Sequence, residues 1–325
     1  MAKISISRVR QLIDKNIEKK NWQIKPFGEG KFSETFLATD GSREYVIRVA
    51  PPDSLLQLFY EYHMMRQEPR IHQLVLKHTN VPVPSIIRYD FSRHLIERDY
   101  VIMPRLEGIT LNQANLTATE RKKVFKQLGN YLRQIHAITD SENFFGYLGE
   151  HHCMEPRLTW WEAFKTMFSK ELDDFVKTGI YNRKTADGIY QVLEAQARVF
   201  EYAATSHLLH GDLRMGNILV NDNREISGVL DFDRACWGDV EWDLAIVEYC
   251  GLLNEDFWQG YGKKINIQEG DAAIRRMFYL LYEHQKYIVI SMSDRRNDPA
   301  RARKYADDSL AVIHHFKETG KPAFF

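Results

Sequence analysis

Apolar residues recur at two different spacings along this chain, and the change from one to the other divides it. At the start, MAKISISRVRQLIDKNIEKKNW places Ile4, Val9, Ile13 and Ile17 at roughly helical intervals among charged residues, which predicts an amphipathic first helix. From Trp22 to Val49 the period shortens. WQIKPF, TFLAT and EYVIRV are β-prone runs separated by GEGKFS and DGS, the pattern of three antiparallel strands joined by turns. Pro51 and Pro52 close that run. LLQLFYEYHMMRQEPRIHQLVLKH returns to helical spacing around Pro69, predicting a helix, a break and a second helical piece. VPVPSIIRYD and RDYVIMPRL predict two further strands, the second so continuously apolar that it is expected to be central or well buried.

EGITL marks a change of regime, and a domain boundary is placed near Gly108. Beyond it the spacing is largely helical. TATERKKVFKQLGNYLRQIHAI opens on a threonine cap with a glutamate nearby and keeps Val124, Leu128, Leu132 and Ile135 on one face. Only HLLHGD, NILVN and ISGVLDF interrupt the helical half, as short apolar runs with turn residues between them. There is no fixed-period repeat and no low-complexity tract. The expectation is an α+β protein of two lobes, an antiparallel-sheet lobe over residues 1–108 and a mainly helical lobe over 109–325.

Composition narrows the function classes. A hydrophobic fraction of 44% with 27% charged residues is that of a folded globular chain. Lysine plus arginine and aspartate plus glutamate number 44 each, so no overall field recommends a nucleic acid or an anionic membrane as partner. Cys153, Cys236 and Cys250 form no CxxC pair, and HHC at 151–153 has no second ligand cluster, which disfavours a disulfide framework or structural zinc and suits a reducing cytoplasm. No stretch has the length of a bilayer span, and the opening segment lacks the apolar run of a leader.

The chemistry concentrates in HGDLRMGN at 210–217 and LDFD at 230–233. Phosphoryl transfer needs a carboxylate near the acceptor hydroxyl and oxygen ligands for magnesium on the nucleotide phosphates. In the protein-kinase pattern a catalytic-loop Asp precedes a metal-binding Asn by five positions, and a second Asp follows on a later strand turn. Asp212, Asn217 and Asp231 repeat that order and interval. With HGD in place of HRD, DFD in place of DFG, and GDVEWDLA shortly after, the sequence resembles the aminoglycoside phosphotransferase and related small-molecule kinase superfamily, over most of its length and least toward the C-terminus. The resemblance implies a protein-kinase-like fold. It implies that Asp212 orients or deprotonates the acceptor hydroxyl, that Asn217 and Asp231 bind Mg2+, that His210 supports the loop, and that the donor is ATP or GTP. Asp243 is expected to stabilise the loop and His136 to be a packed helix histidine.

For the nucleotide, the glycine turn GEGKFSETF offers Gly28 and Gly30, with Ser33 where the protein-kinase pattern has its third glycine; a plain hairpin turn is the other reading. Arg48 in EYVIRV stands where that pattern places a phosphate-pairing lysine. Glu61 is its expected partner, since Glu68 directly precedes a proline. In YVIMPRLEG the resemblance implies a connection between lobes, with Met103 lining the base pocket and backbone groups from Pro104 through Arg105 to Leu106 meeting the base edge; Met103 is alternatively core filling.

For the acceptor, Glu241, Glu248, Glu255, Asp256 and Glu283 would suit a cationic substrate if they converged, and otherwise face solvent. Asp233 serves the metal or substrate, or is a solvated turn carboxylate. Trp160, Trp161, Trp242, Trp258, Tyr249 and Tyr261 stack on substrate or pack cores. The first expectation is a magnesium-dependent kinase of an aminoglycoside-like antibiotic. The others are a metabolic kinase of an amino sugar, amino alcohol or amino acid, and a nucleotide-binding module without turnover.

Overall fold

The computed structural model describes residues 3–28, 32–202 and 204–325. Helix α1 (Ile6–Asn16) is capped by the Ser5 hydroxyl, which accepts from the Arg8 amide, and buries Val9, Leu12 and Ile13. It lies on a sheet whose strands are β1 (Gln23–Pro26), β2 (Glu34–Thr39), β3 (Glu44–Val49), β4 (Arg88–Asp90) and β5 (Tyr100–Pro104), in the order β1-β2-β3-β5-β4 with every pairing antiparallel. Asp40 closes the β2–β3 hairpin by accepting from the amides of Ser42 and Arg43. β5 is an inner strand buried from Tyr100 to Met103, as its unbroken apolar run requires.

Between β3 and β4 the structure departs from the expected helix, break and helix. Residues 53–63 are turns, a 3-10 turn spans Met64–Gln67, and one helix, α2 (Glu68–His78), follows. Pro69 stands in the first turn of α2, where its missing N–H costs nothing, so it opens a helix where the sequence reading had it interrupt one.

Gly108 sits at the crossing to the helical half. Its φ of +118° is open to glycine, and a Cβ there would lie 2.7 Å from the carbonyl oxygen of Val220. A small sheet follows, β6 (Ile109–Thr110) beside β8 (Ile218–Val220) and β9 (Ile226–Val229), and a two-stranded ribbon pairs β7 (His207–Leu209) with β10 (Cys236–Gly238). β7, β8 and β9 are the HLLHGD, NILVN and ISGVLDF runs; β6 and β10 are short strands outside them. Around them stand α3 (Ala118–His136), α4 (Trp160–Lys177), α5 (Arg183–Glu194), α6 (Ala197–Phe200), α7 (Val240–Tyr249), α8 (Glu255–Tyr261), α9 (Gly270–Met292) and α10 (Pro299–Thr319). α3 starts on the expected capping box: the Thr117 hydroxyl accepts from the Glu120 amide while Glu120 accepts from the Thr117 amide at 2.7 Å.

The apolar cores do not divide at residue 108. α1 and one face of the large sheet share a core with Trp22, Phe36 and Ile47. Leu58 and Tyr60 instead join the core built by α4, α7 and α9, and Ile71 and Val75 of α2 join the core of α3 and the small sheet. Among the described residues no helix is long and apolar enough to cross a membrane.

Candidate active site

Asp212 lies in the loop that leaves β7, and the backbone of the two residues before it is held by one buried carboxylate. Asp243, in the first turn of α7, accepts from the amides of His210 at 2.7 Å and Gly211 at 2.9 Å, and its Oδ2 also lies 3.1 Å from His136 Nε2. Burial works against the charge on Asp243, yet these donors hold its carboxyl below the usual range. Gly211 needs its glycine: φ is +75°, and a Cβ would meet the Arg234 carbonyl oxygen at 2.5 Å.

His210 ties this loop to the second motif. The Asp212 amide donates to its Nδ1 at 3.2 Å, which leaves the proton on Nε2 to donate to the Leu230 carbonyl at 3.0 Å. Burial depresses its basicity, in keeping with a neutral ring. Asn217 closes the loop from the other side, its amide nitrogen donating to the Asp212 carbonyl at 2.9 Å and to Oδ2 at 3.1 Å. That orientation leaves the Asn217 Oδ1 as an acceptor for another group.

Asp231 takes a left-handed conformation, φ 71° and ψ 58°, directly after β9. One of its carboxylate oxygens meets Arg48 Nη2 at 3.0 Å, and the same nitrogen lies 3.2 Å from Asp233. Arg48 Nη1 pairs with Glu68 at 2.6 Å. Arg48 on β3 therefore bridges α2 to the DFD turn. Burial and the Asp231 charge push Asp233 well above the usual carboxyl range, and burial raises Glu68 to about 7 against the pull of Arg48.

Glu61 is not the partner of Arg48. Its two oxygens pair with Arg295 at 2.8 and 2.7 Å, and one also accepts from the Leu58 amide, because residues 58–63 turn toward the helical half. Glu68 takes the role instead; the proline after it lies in the helix's first turn and does not disturb it.

Gly28 has φ +74° and open space around it; Gly30 lies outside the described residues; and the buried Ser33 hydroxyl has no partner among the described residues. Met103 packs in a small core with Ala50, Met65 and Val101. Arg105 pairs with Glu44 at 2.6 Å and lies over the Phe27 ring, while Leu106 packs against Gly228.

The acceptor carboxylates do not converge as open charges. Glu241 pairs with Arg275 at 2.7 Å through two nitrogens, Glu248 with Arg276 and Gln268, and Glu255 on α8 is exposed with a loose Lys264 contact. Trp160, Trp242, Trp258 and Tyr261 are core residues. Glu283 does reach the site, but paired: it takes Arg234 at 2.9 Å and Lys286.

Arg234 and Lys286, together with Arg214, are the site residues sequence reasoning missed. Arg214 Nε donates to Asp212 at 3.1 Å, and Arg234 and Lys286 each lie 3.6 Å from its other oxygen. Burial opposes the charge on Asp212, but Lys286, Arg234 and Arg214 outweigh it and hold the carboxyl at about 2. The signals were present: Arg214 lies inside HGDLRMGN, Arg234 directly follows LDFD, and Lys286 is three residues after Glu283 on one helix.

A family model described as the phosphotransferase enzyme family matches residues 23–278. Among curated proteins, the chain is 24% identical to a probable ketoamine kinase of Vibrio vulnificus over 239 residues, 71% of this chain and 74% of that one. It is likewise 24% identical over 233 residues to a probable acyl-CoA dehydrogenase of Arabidopsis thaliana, which covers 69% of this chain but only 27% of that much longer protein. A candidate fructosamine-3-kinase of Haemophilus somnus superposes with a TM-score of 0.66 at 18% identity, covering 93% of this chain and 96% of that one. An aminoglycoside phosphotransferase in ternary complex with AMP-PNP and hygromycin B superposes with a TM-score of 0.63 at 21% identity, covering 93% and 98%. The fold is thus the two-lobed, protein-kinase-like one that the motifs implied, and the chain belongs to the phosphotransferase enzyme family.

Proposed function

We propose that this protein transfers the γ-phosphoryl group of ATP or GTP to a hydroxyl of a small molecule, with residues 1–108 holding the nucleotide and 109–325 presenting the acceptor. The observation that carries this reading is the pairing of Asp212, fixed by Asn217 and Asp243, with an Asp231 that Arg48 holds at 3.0 Å. The acceptor hydroxyl donates to Asp212. As its oxygen bonds to phosphorus, the bond to the β–γ bridging oxygen breaks, the bridge oxygen leaves with the nucleoside diphosphate, and the hydroxyl proton passes to the Asp212 carboxylate. Holding Asp212 ionised keeps it ready to orient the hydroxyl in every turnover.

The residues fit a magnesium ion. Asn217 Oδ1 is left free by its own hydrogen bonds, and the Asp231 side chain is part exposed, so two hard oxygen donors stand on adjacent turns. When bound, Mg2+ neutralises phosphate charge. Arg48 and the glycine turn at Gly28 would meet the phosphates, and the backbone from Pro104 to Leu106 the base. AMP-PNP in the aminoglycoside phosphotransferase complex supports a nucleoside triphosphate donor. For the acceptor, relatives named as ketoamine kinases favour a metabolic hydroxyl compound over an aminoglycoside-like antibiotic, because the carboxylates that would hold a polycation, Glu241, Glu248 and Glu283, are each paired with arginine.

The test is mass spectrometry of hydroxyl compounds after incubation with the purified protein, magnesium and either nucleotide, beside Asp212→Asn. A phosphoryl-sized mass gain that the variant abolishes while still binding nucleotide is the expected result. Nucleotide binding that neither drives a mass gain nor responds to Asp212→Asn would replace the kinase with a binding module.

A further inference from the structure

Charge is segregated across the site. On the side of Asp231 one cation, Arg48, faces Asp231 and two acids that burial raises above the usual carboxyl range, Glu68 and Asp233. On the side of Asp212 the balance reverses. Arg214, Arg234 and Lys286 all stand within 3.6 Å of the Asp212 carboxylate, and among the described residues the only other carboxylate paired with them is Glu283.

Ion pairing alone does not account for three cations. A single one suffices to keep a carboxylate charged, and each further buried cation costs desolvation that needs a partner. Glu171, the other acid near Arg234, accepts no hydrogen bond among the described residues, and burial raises it well above the usual range, which disfavours its charge. The Nε and Nη2 of Arg234, a residue 6% exposed, also have no acceptor among the described residues. Arg214 is different. It spends only Nε on Asp212, its two terminal nitrogens bond to none of the described residues, and its side chain is 52% exposed. A guanidinium fork with two open donors beside the acceptor aspartate is suited to a planar anion.

Resting on the phosphotransferase reading, we infer that the acceptor is an anionic hydroxy compound, its carboxylate received by the terminal nitrogens of Arg214 within the field of Lys286 and Arg234, with its hydroxyl on Asp212. An ammonium group in that place would face three cations. A carboxylate there meets the open fork of Arg214, and the same contact fixes which hydroxyl reaches Asp212. This gives Arg214 a role in selecting substrate beyond holding Asp212.

Two matched series test it: glycerate, glycerol and serinol; and gluconate, glucose and glucosamine, with glycerol 3-phosphate to separate carboxylate from phosphate. Each is titrated calorimetrically into the full-length protein loaded with AMP-PNP and magnesium, then assayed for turnover with ATP and with GTP. The expected result is that the anionic member of a series binds most tightly and has the highest kcat/KM. Arg214→Gln should cost every member the contact that Arg214 makes with Asp212, and on top of that common loss should weaken the anionic member about ten- to a hundredfold more than the neutral and amine members, the worth of a hydrogen bond to a charged group, chiefly through KM. Arg214→Lys should restore part of the preference. A preference for glycerol 3-phosphate keeps the anion and replaces the carboxylate. Tightest binding or fastest turnover by a neutral or amine member overturns the inference and leaves the kinase intact, and so does an absence of any binding difference within both series. Failure of AMP-PNP and magnesium to bind at all would overturn the phosphotransferase reading and this inference with it.

Discussion

Replacing Asp243 with asparagine isolates the carboxylate that holds the loop at 210–217. In the wild type Oδ2 takes the His210 amide at 2.7 Å and faces His136 Nε2 at 3.1 Å, while Oδ1 takes the Gly211 amide at 2.9 Å. Asparagine keeps one oxygen. Placed at the Oδ2 position it preserves two acceptances without their charge, losing about 1 kcal/mol each if charge assistance roughly doubles a bond. Its NH2 group then points at the Gly211 N–H, leaving buried donors unmatched at about 1–3 kcal/mol. The sum is about 3–5 kcal/mol, a large part of the ~5–15 kcal/mol that separates folded from unfolded chains. Urea unfolding followed by tryptophan fluorescence reads it. The pH dependence gives a second signature. The Asp243 carboxyl is depressed in the fold relative to its usual 3.8, so its stabilisation is fully present above about pH 4 and fades as pH falls through the folded value. The gap between wild type and variant should therefore narrow below pH 4. A loss under about 1 kcal/mol, or a gap indifferent to pH, would refute the claim that this carboxylate anchors the loop.

Three further outcomes follow from the same geometry. Asp212, held at about 2, should remain ionised from pH 4 to 8, so its 13Cγ resonance, identified by its absence in Asp212→Asn, should not move across that range; a shift near pH 6 would contradict the three-cation environment. Glu68, raised to about 7 by burial, binds a proton more tightly folded than unfolded, so stability should fall as pH rises from about 5 to 7, and Glu68→Gln should flatten that slope in urea titrations. Gly211→Ala puts a Cβ 2.5 Å from the Arg234 carbonyl oxygen at a φ of +75°; a melting temperature unchanged within error would show that the loop has slack, whereas the expected loss combines about 1–2 kcal/mol of backbone strain with about 1–3 of overpacking.

The contact of Asp212 with Asn217 was legible because it is local: the asparagine reaches the aspartate across five positions, an interval that survives any folding of the rest. The Thr117 cap and the buried β5 were legible for the same reason, their signals being contained in a few neighbouring positions. Residues 53–63 were not. Leu58 and Tyr60 are buried in one core and Met65, just beyond, in another, so their apolar spacing imitates a helix face without forming one. The choice of Glu61 over Glu68 followed from treating Pro69 as a helix break, and it is corrected by where that helix begins. Glu241 and Glu248 looked available because Arg275 and Arg276, which neutralise them, lie roughly thirty residues away on α9, a pairing that only tertiary contact creates.

The placement of Leu58, Tyr60, Ile71 and Val75 inside the cores of the helical half bears on how the molecule could be taken apart. A cut at Gly108 would sever one crossing of the chain and leave two others embedded across the divide. A fragment beginning at residue 109 would show water the apolar hollows those four side chains fill, and its complement would carry them exposed. The sheet and helical halves are thus bound to melt together, as one cooperative unit, with a single heat-absorption peak in place of the two that separable domains would give.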